Sequence, residues 1–324
     1  MKLFIKSIAL LLCMCLMACA LSGCGLNAAK EEASLETEAL SVYATFYPIY
    51  ALTALITDGI PDFHMNCLVQ PMDGCLRSYS LSDWDLALLT RSANAVIAGG
   101  RGLEGFESTF YALGEDGPAI VSTLYNLELA TVEPANETGE ESHWTDENPH
   151  IYMTIDGAIA IAERIAANLT VLDPKYGDLY AENLENAKNR LESLRKEMHD
   201  LTGDLQGQKA IVMNEALVYA AQEYGLDVEL YYARESGEAL YDQELADCIE
   251  LLSACDARVI LMEKQVPEAL RRALEEAGFR IAALDVLSTR RASEGAEGYF
   301  EAQMANARAL VAAFAEETNL EVEE

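Results

Sequence analysis

The chain has 324 residues, with 22 Lys or Arg against 54 Asp or Glu and a formal net charge of -32 at pH 7. Such a surface repels nucleic acid and anionic lipid headgroups and gathers cations, so nucleic-acid binding is excluded as a function class. Hydrophobic residues make up 51% of the chain, enough for a large core and too many for a disordered one.

The first element in chain order is a short secretory segment. Lys2 and Lys6 form a charged start, Ile8 to Leu16 is apolar, and Leu21-Ser22-Gly23-Cys24 closes it. The apolar run is too short and wrongly flanked for a membrane span. The closing tetrad resembles the bacterial lipobox, which implies cleavage before Cys24 and lipidation of that cysteine. The expected result is a domain held at the outer face of a bacterial membrane by acyl chains. Residues 24–40 are small, polar and acidic, the composition of a flexible tether. Cys13, Cys15 and Cys19 leave with the signal, so Cys67, Cys75, Cys248 and Cys255 remain. Cys248 and Cys255 are seven residues apart in a helical pattern, about 10 Å of rise, which is too far for a bridge. No disulfide framework is expected. Cys67 reads as strand core, and Cys248 and Cys255 as core positions of one helix.

From Ser41 onward short β-branched runs alternate with helical periodicity, the pattern of βα units around a parallel sheet. Strands are expected at Val42–Phe46, Asn66–Val69, Ala95–Ala98 and Ala119–Ser122, with helices starting near Pro48, Ser82 and Gly105. Ser82 is a good N-cap, and Asp83 and Asp85 suit the positive end of its helix. Residues 126–149 are acidic and read as a solvated loop that includes His143. A helix is expected from Thr154 to Leu169.

Asp173-Pro174 then reads as an N-cap followed by a first-turn proline. Tyr180, Leu184, Ala187, Leu191, Leu194, Met198, Leu201 and Leu205 recur at spacings of four and three. The stripe predicts one helix over 173–206, roughly 48 Å long, packed along one protein as a spine. After Gly207 the βα rhythm resumes, with strands at Ala210–Met213, Val228–Tyr231, Val259–Met262 and Ile281–Leu284, and a closing helix from Glu297 to Glu316. The fold class is therefore α/β. A lobe at 41–172 and a lobe at 207–324 each carry a parallel-rich sheet flanked by helices, joined by one long rigid helix.

Open α/β sheets bind ligands beyond the carboxyl ends of their strands. Cys75, Asn214, Glu263 and Asp285 all fall at such ends, and His150 sits just before a helix of the first lobe. Their types include metal donors. Cys75, His150 and Asn214 are also the residue types of a cysteine-nucleophile triad.

Several ordered segments resemble the lipoprotein receptors of zinc and manganese ABC importers. They are Ala44-Thr45-Phe46-Tyr47-Pro48, the loop from Leu68 to Cys75, Gly102-Leu103-Glu104-Gly105-Phe106, Asn148-Pro149-His150-Ile151-Tyr152, Asn214-Glu215-Ala216-Leu217-Val218-Tyr219, and Glu263 with Leu284-Asp285-Val286-Leu287. The resemblance covers about residues 41–316. It implies two lobes on a rigid helix, a metal ion in the cleft, an ABC permease as partner and a monomeric receptor. It also implies metal ligands at Cys75, His150 and Asp285, with Asn214 as a weak fourth donor and Asp73 and Glu263 supporting them from behind.

Two positions depart from the family pattern. Cys75 replaces a histidine, and Asn214 replaces the histidine of zinc receptors or the glutamate of manganese receptors. A thiolate favours zinc or a softer ion over manganese, so Zn2+ is the expected cargo and Mn2+ the lesser one. Three functions follow: a metal receptor, a receptor or adhesin of the same fold that has lost metal binding and holds another small ligand, and a cysteine-nucleophile enzyme.

Overall fold

The computed structural model describes residues 39–72, 74–114, 117–136 and 147–320. The signal segment, Cys24 and the tether up to residue 38, together with Asp73 and His143, lie outside the described residues. Among the described residues no helix is long and apolar enough to cross a membrane.

The first sheet contains β1 (Leu40–Ala44), β2 (Phe63–Cys67), β3 (Ala95–Ala98) and β4 (Ala119–Ser122), all parallel, in the order β2-β1-β3-β4. Between them lie α1 (Tyr47–Thr57), α2 (Asp83–Ser92) and α3 (Glu107–Ala112). Ser82 caps α2 as expected: its hydroxyl accepts from the Asp85 N–H and the Asp85 carboxylate accepts from the Ser82 N–H. After β4 the chain reaches a 3-10 turn at Ile151–Met153, then α4 (Ile155–Leu172) and α5 (Gly177–Thr202). The second sheet repeats the first: β5 (Lys209–Val212), β6 (Asp227–Tyr231), β7 (Val259–Glu263) and β8 (Arg280–Leu284) are parallel in the order β6-β5-β7-β8. α6 (Ala216–Glu223), α7 (Asp242–Ser253) and α8 (Glu268–Glu276) connect them, and α9 (Glu297–Leu320) closes the chain.

The strand period of two sorts the second sheet into two cores. Ala210, Val212 and Leu261 face a large core shared with the first sheet, while Ile211, Met213, Ile260 and Met262 face a second one with Leu252 and Leu274. The large core runs through both lobes because α5 lies along α4, α9 and α1 and buries Tyr180, Ala187, Leu191, Leu194 and Met198.

The linking helix is shorter than the sequence pattern implies. Pro174–Tyr176 and Gly203–Leu205 are 3-10 turns at its two ends, which leaves 26 α-helical residues. Leu201 is 39% exposed, and Thr202 takes the buried place one turn beyond Met198. A true 3.6-residue turn reaches Thr202 there, and its hydroxyl is satisfied by donating to the Met198 carbonyl. Two cysteine expectations also change. Cys255 lies beyond the end of α7, and Cys67 ends the edge strand β2, where it is only half-buried. Cys248 is the buried helical one. All four described cysteines are free thiols.

Candidate functional site

The carboxyl ends of both sheets point at one largely enclosed cavity of about 40 Å³. That is space for a few water molecules, so it suits an ion or a very small ligand. Cys75, His150 and Met72 line it from the first lobe, and Asn214, Glu215 and Arg234 from the second.

Cys75 immediately precedes the 3-10 turn Leu76–Ser78 in the loop after β2. Gly105 fixes that turn: its N–H donates to the Leu76 carbonyl, and a Cβ there would fall 1.7 Å from the Arg77 carbonyl oxygen. Burial, with Glu235 nearby, pushes the Cys75 thiol up to about 12. The free protein therefore carries a thiol at this position at neutral pH.

His150 is buried at the start of the turn Ile151–Met153. Gly157 packs under that turn, where a Cβ would sit 2.0 Å from the Ile151 carbonyl oxygen. The hydrogen bonds around Asn148 assign the histidine tautomer. Asn148 Nδ2 donates to the Glu215 carbonyl at 2.8 Å, so Oδ1 is the acceptor. Oδ1 accepts from the His150 backbone N–H and lies 3.0 Å from Nδ1. Nδ1 accordingly carries the proton and Nε2 keeps its lone pair. Burial first, and then Arg77, lower the His150 pKa to about 3. The ring is neutral at physiological pH, the form that binds metal.

A pH effect follows with a definite sign. The unfolded imidazole takes a proton below about pH 6.5 and the folded one does not until about pH 3. Unfolding therefore binds a proton in this window, and His150 makes the fold less stable as pH falls from 6.5 toward 3. Glu215 works the other way: burial raises it to about 7, so the folded state holds the extra proton and gains stability as pH falls from 7 toward 4.5. In denaturant melts of the metal-free protein, His150→Gln should flatten the loss of stability between pH 6 and 4.

Asn214 follows β5 and opens the turn into α6. Its Oδ1 accepts from the Ala216 N–H at 3.0 Å and its Nδ2 donates to Ser236 Oγ at 2.8 Å. One lone pair on Oδ1 is left for a ligand. Asp285 sits beyond β8 but is already engaged. Oδ1 accepts from the Leu287 N–H, and Oδ2 lies 3.0 Å from Arg290 Nε and 3.4 Å from Lys264 Nζ. It is not among the cavity-lining residues. Glu263 is fully buried and paired with Arg234, whose side chain is also fully buried. Arg234 lines the cavity, so Glu263 stands behind it.

Glu215, Arg77 and Arg234 are site residues that the sequence reading did not single out. Arg77 Nη2 lies 3.1 Å from Glu215 Oε1, a buried ion pair that joins the two lobes beside the cavity. Glu215, Glu263 and Asp285 thus each have a cationic partner. Cys75 and His150 line the cavity without such an ion pair, and Glu235 lines it beside them. Among the described residues, no three His, Cys, Asp or Glu side chains are gathered tightly enough to hold a metal ion.

Fold and cavity together define a two-lobed α/β protein with a small cavity between its sheets. The chain belongs to the ZnuA family, the periplasmic component A of zinc-uptake complexes, whose model matches residues 42–313. It is 22% identical over 187 residues to the manganese ABC transporter substrate-binding lipoprotein PsaA of Streptococcus mitis, covering 55% of this chain and 59% of that one. It is 24% identical over 216 residues to the high-affinity zinc uptake system protein ZnuA of Bacillus subtilis, covering 63% and 65% respectively. The matches thus span under two thirds of the length of these relatives. The fold superposes on FpvC of Pseudomonas aeruginosa, solved in complex with Mn2+, with a TM-score of 0.75 at 20% identity over 86% of this chain and 99% of that one.

Proposed function

We propose that this chain is an extracytoplasmic metal receptor, anchored through an acylated Cys24, that takes a divalent ion between its lobes and passes it to an ABC permease. Zinc is the favoured cargo and manganese the lesser one. The observation that carries this reading is a thiol and a neutral imidazole, Cys75 and His150, on the wall of one small cavity at the sheet ends. A sulfur donor ranks zinc well above manganese. Asp285 joins the ion by exchanging Arg290 and Lys264 for it, and the free lone pair of Asn214 Oδ1 is the weak fourth donor. Glu263 acts from behind through Arg234, and Asp73 belongs to the loop that carries Cys75.

The cysteine-nucleophile reading loses its support. A nucleophilic cysteine needs a lowered pKa, and burial raises that of Cys75. One observation favours the reading in which metal binding has been lost: Glu215, Glu263 and Asp285 each have a cationic partner. Thermal melts separate the two. Zinc at about a thousandfold its Kd should raise Tm by roughly 8 °C, with manganese at the same concentration giving a small fraction of that. A Tm unmoved by either ion would favour a small non-metal ligand.

A further inference from the structure

We propose that Glu215 is a positioning residue for the metal-binding imidazole: together with Asn148 it holds His150 as the Nδ1–H tautomer and turns Nε2 into the nitrogen that meets the ion. The inference rests on the metal-receptor reading for its consequence, but its geometry stands without a metal.

Glu215 is 3% exposed and its two oxygens have different neighbours. Oε1 is tied to Arg77 Nη2 at 3.1 Å. Oε2 is buried, accepts no hydrogen bond, and lies 3.6 Å from His150 Nδ1. A buried carboxylate oxygen left unsatisfied is costly, and native proteins keep such groups where they serve a purpose. The oxygen stands on the proton-bearing side of the ring, beside the 3.0 Å contact between Nδ1 and Asn148 Oδ1. The Nδ1 proton therefore faces two acceptors, one neutral and one carboxylate. When a cation binds Nε2 the ring gains positive character, its Nδ1–H becomes a stronger donor, and the carboxylate behind it gains attraction. Metal-ligating histidines are commonly held this way by a carboxylate or carbonyl on the far nitrogen.

The placement of the pair is built into the chain. Arg77 sits two residues after Cys75 on the turn that Gly105 fixes, and Glu215 follows Asn214 at the start of α6. The Arg77–Glu215 link thus ties the loop of one cavity donor to the loop of another across the two lobes. The backbone carbonyl of Glu215 also receives Asn148 Nδ2, so the same residue sets the amide orientation that fixes the tautomer.

Nitrogen-15 NMR of the metal-free protein tests the geometry directly. His150 should show a protonated Nδ1 and an unprotonated Nε2. In Glu215→Gln, whose side-chain amide can donate to Nδ1, the population should move toward the Nε2–H form. Zinc calorimetry on the same variant should show affinity weakened by about 10–100-fold. The Co2+ ligand-field spectrum should keep its shape and intensity, because Glu215 is not itself a ligand. A merely structural role would leave the tautomer unmoved. An Nε2–H ring in the parent overturns the proposal, as does a Glu215→Gln protein with unchanged tautomer and zinc affinity within threefold. A changed Co2+ coordination spectrum would also overturn it, by making Glu215 a ligand. A parent that takes up no zinc removes the metal-receptor reading, and the NMR of parent and variant then decides the positioning role by itself.

Discussion

His150→Ala should weaken zinc binding by about a hundredfold in calorimetry, and Cys75→Ala by a similar factor. The magnitude follows from four-ligand zinc sites, whose binding free energies of about 10–16 kcal/mol put each donor near 3 kcal/mol. Both side chains line the cavity, and neither is held by a cation. Cys67→Ala is the internal control. Cys67 ends an edge strand, its thiol donates to the Val69 carbonyl, and it does not line the cavity, so affinity should stay within about twofold of the parent. A His150→Ala protein that binds zinc as the parent does would place the ion elsewhere.

The second large effect concerns Glu263 and Arg234. Both side chains are fully buried, and the pair is reinforced by the Gly237 N–H donating to Glu263 Oε1 and by Arg234 Nη1 donating to the Glu235 and Glu238 carbonyls. Glu263→Gln removes the anion and leaves a buried guanidinium without its counter-charge. The expected loss is about 3–5 kcal/mol of folding stability in urea or guanidinium melts. Replacing both residues, as in Arg234→Met with Glu263→Leu, should recover much of that loss, since two apolar side chains leave no orphaned charge. The single variant should also bind zinc more weakly, because Arg234 lines the cavity and its uncompensated charge opposes a cation. A loss below about 1 kcal/mol would mean that water reaches this pair.

Much of the fold was legible because its signals are local. The capping box at Ser82, the strands Ala95–Ala98 and Ala119–Ser122, and the α5 stripe through Met198 need only neighbours in sequence. The misses have physical causes. Thr45 and Phe46 are buried and read as strand, yet β1 ends at Ala44 and the chain turns into α1 at Tyr47. Leu68 and Val69 read as strand because they are apolar, but they are buried just beyond β2, with their N–H groups still donating to Ala44 and Thr45. The edge strand β2 itself alternates half-buried and exposed positions, a weaker signal than the apolar run that follows it.

The site was legible where strand ends could be counted. That rule found Cys75, Asn214, Glu263 and Asp285, and a motif found His150. It could have reached Glu215, which follows Asn214 directly. It could not reach the partners. The Arg77–Glu215 pair joins residues 138 apart in sequence, and no spacing announces it. Nor could composition tell that Arg290 and Lys264 would occupy Asp285. Those pairings decide which donors are open to a ligand, and they are a property of the folded chain.

We propose that the cavity between the two sheets is a metal site built on Cys75 and His150. Zinc calorimetry on the purified protein, repeated at pH 6, 7 and 8 in buffers of different ionisation enthalpy, tests it most directly. One zinc per chain is expected, with binding that tightens as pH rises and about one proton released as the Cys75 thiol becomes a thiolate. Absence of zinc binding at every pH, or zinc binding that releases no proton and survives Cys75→Ala unchanged, would contradict it.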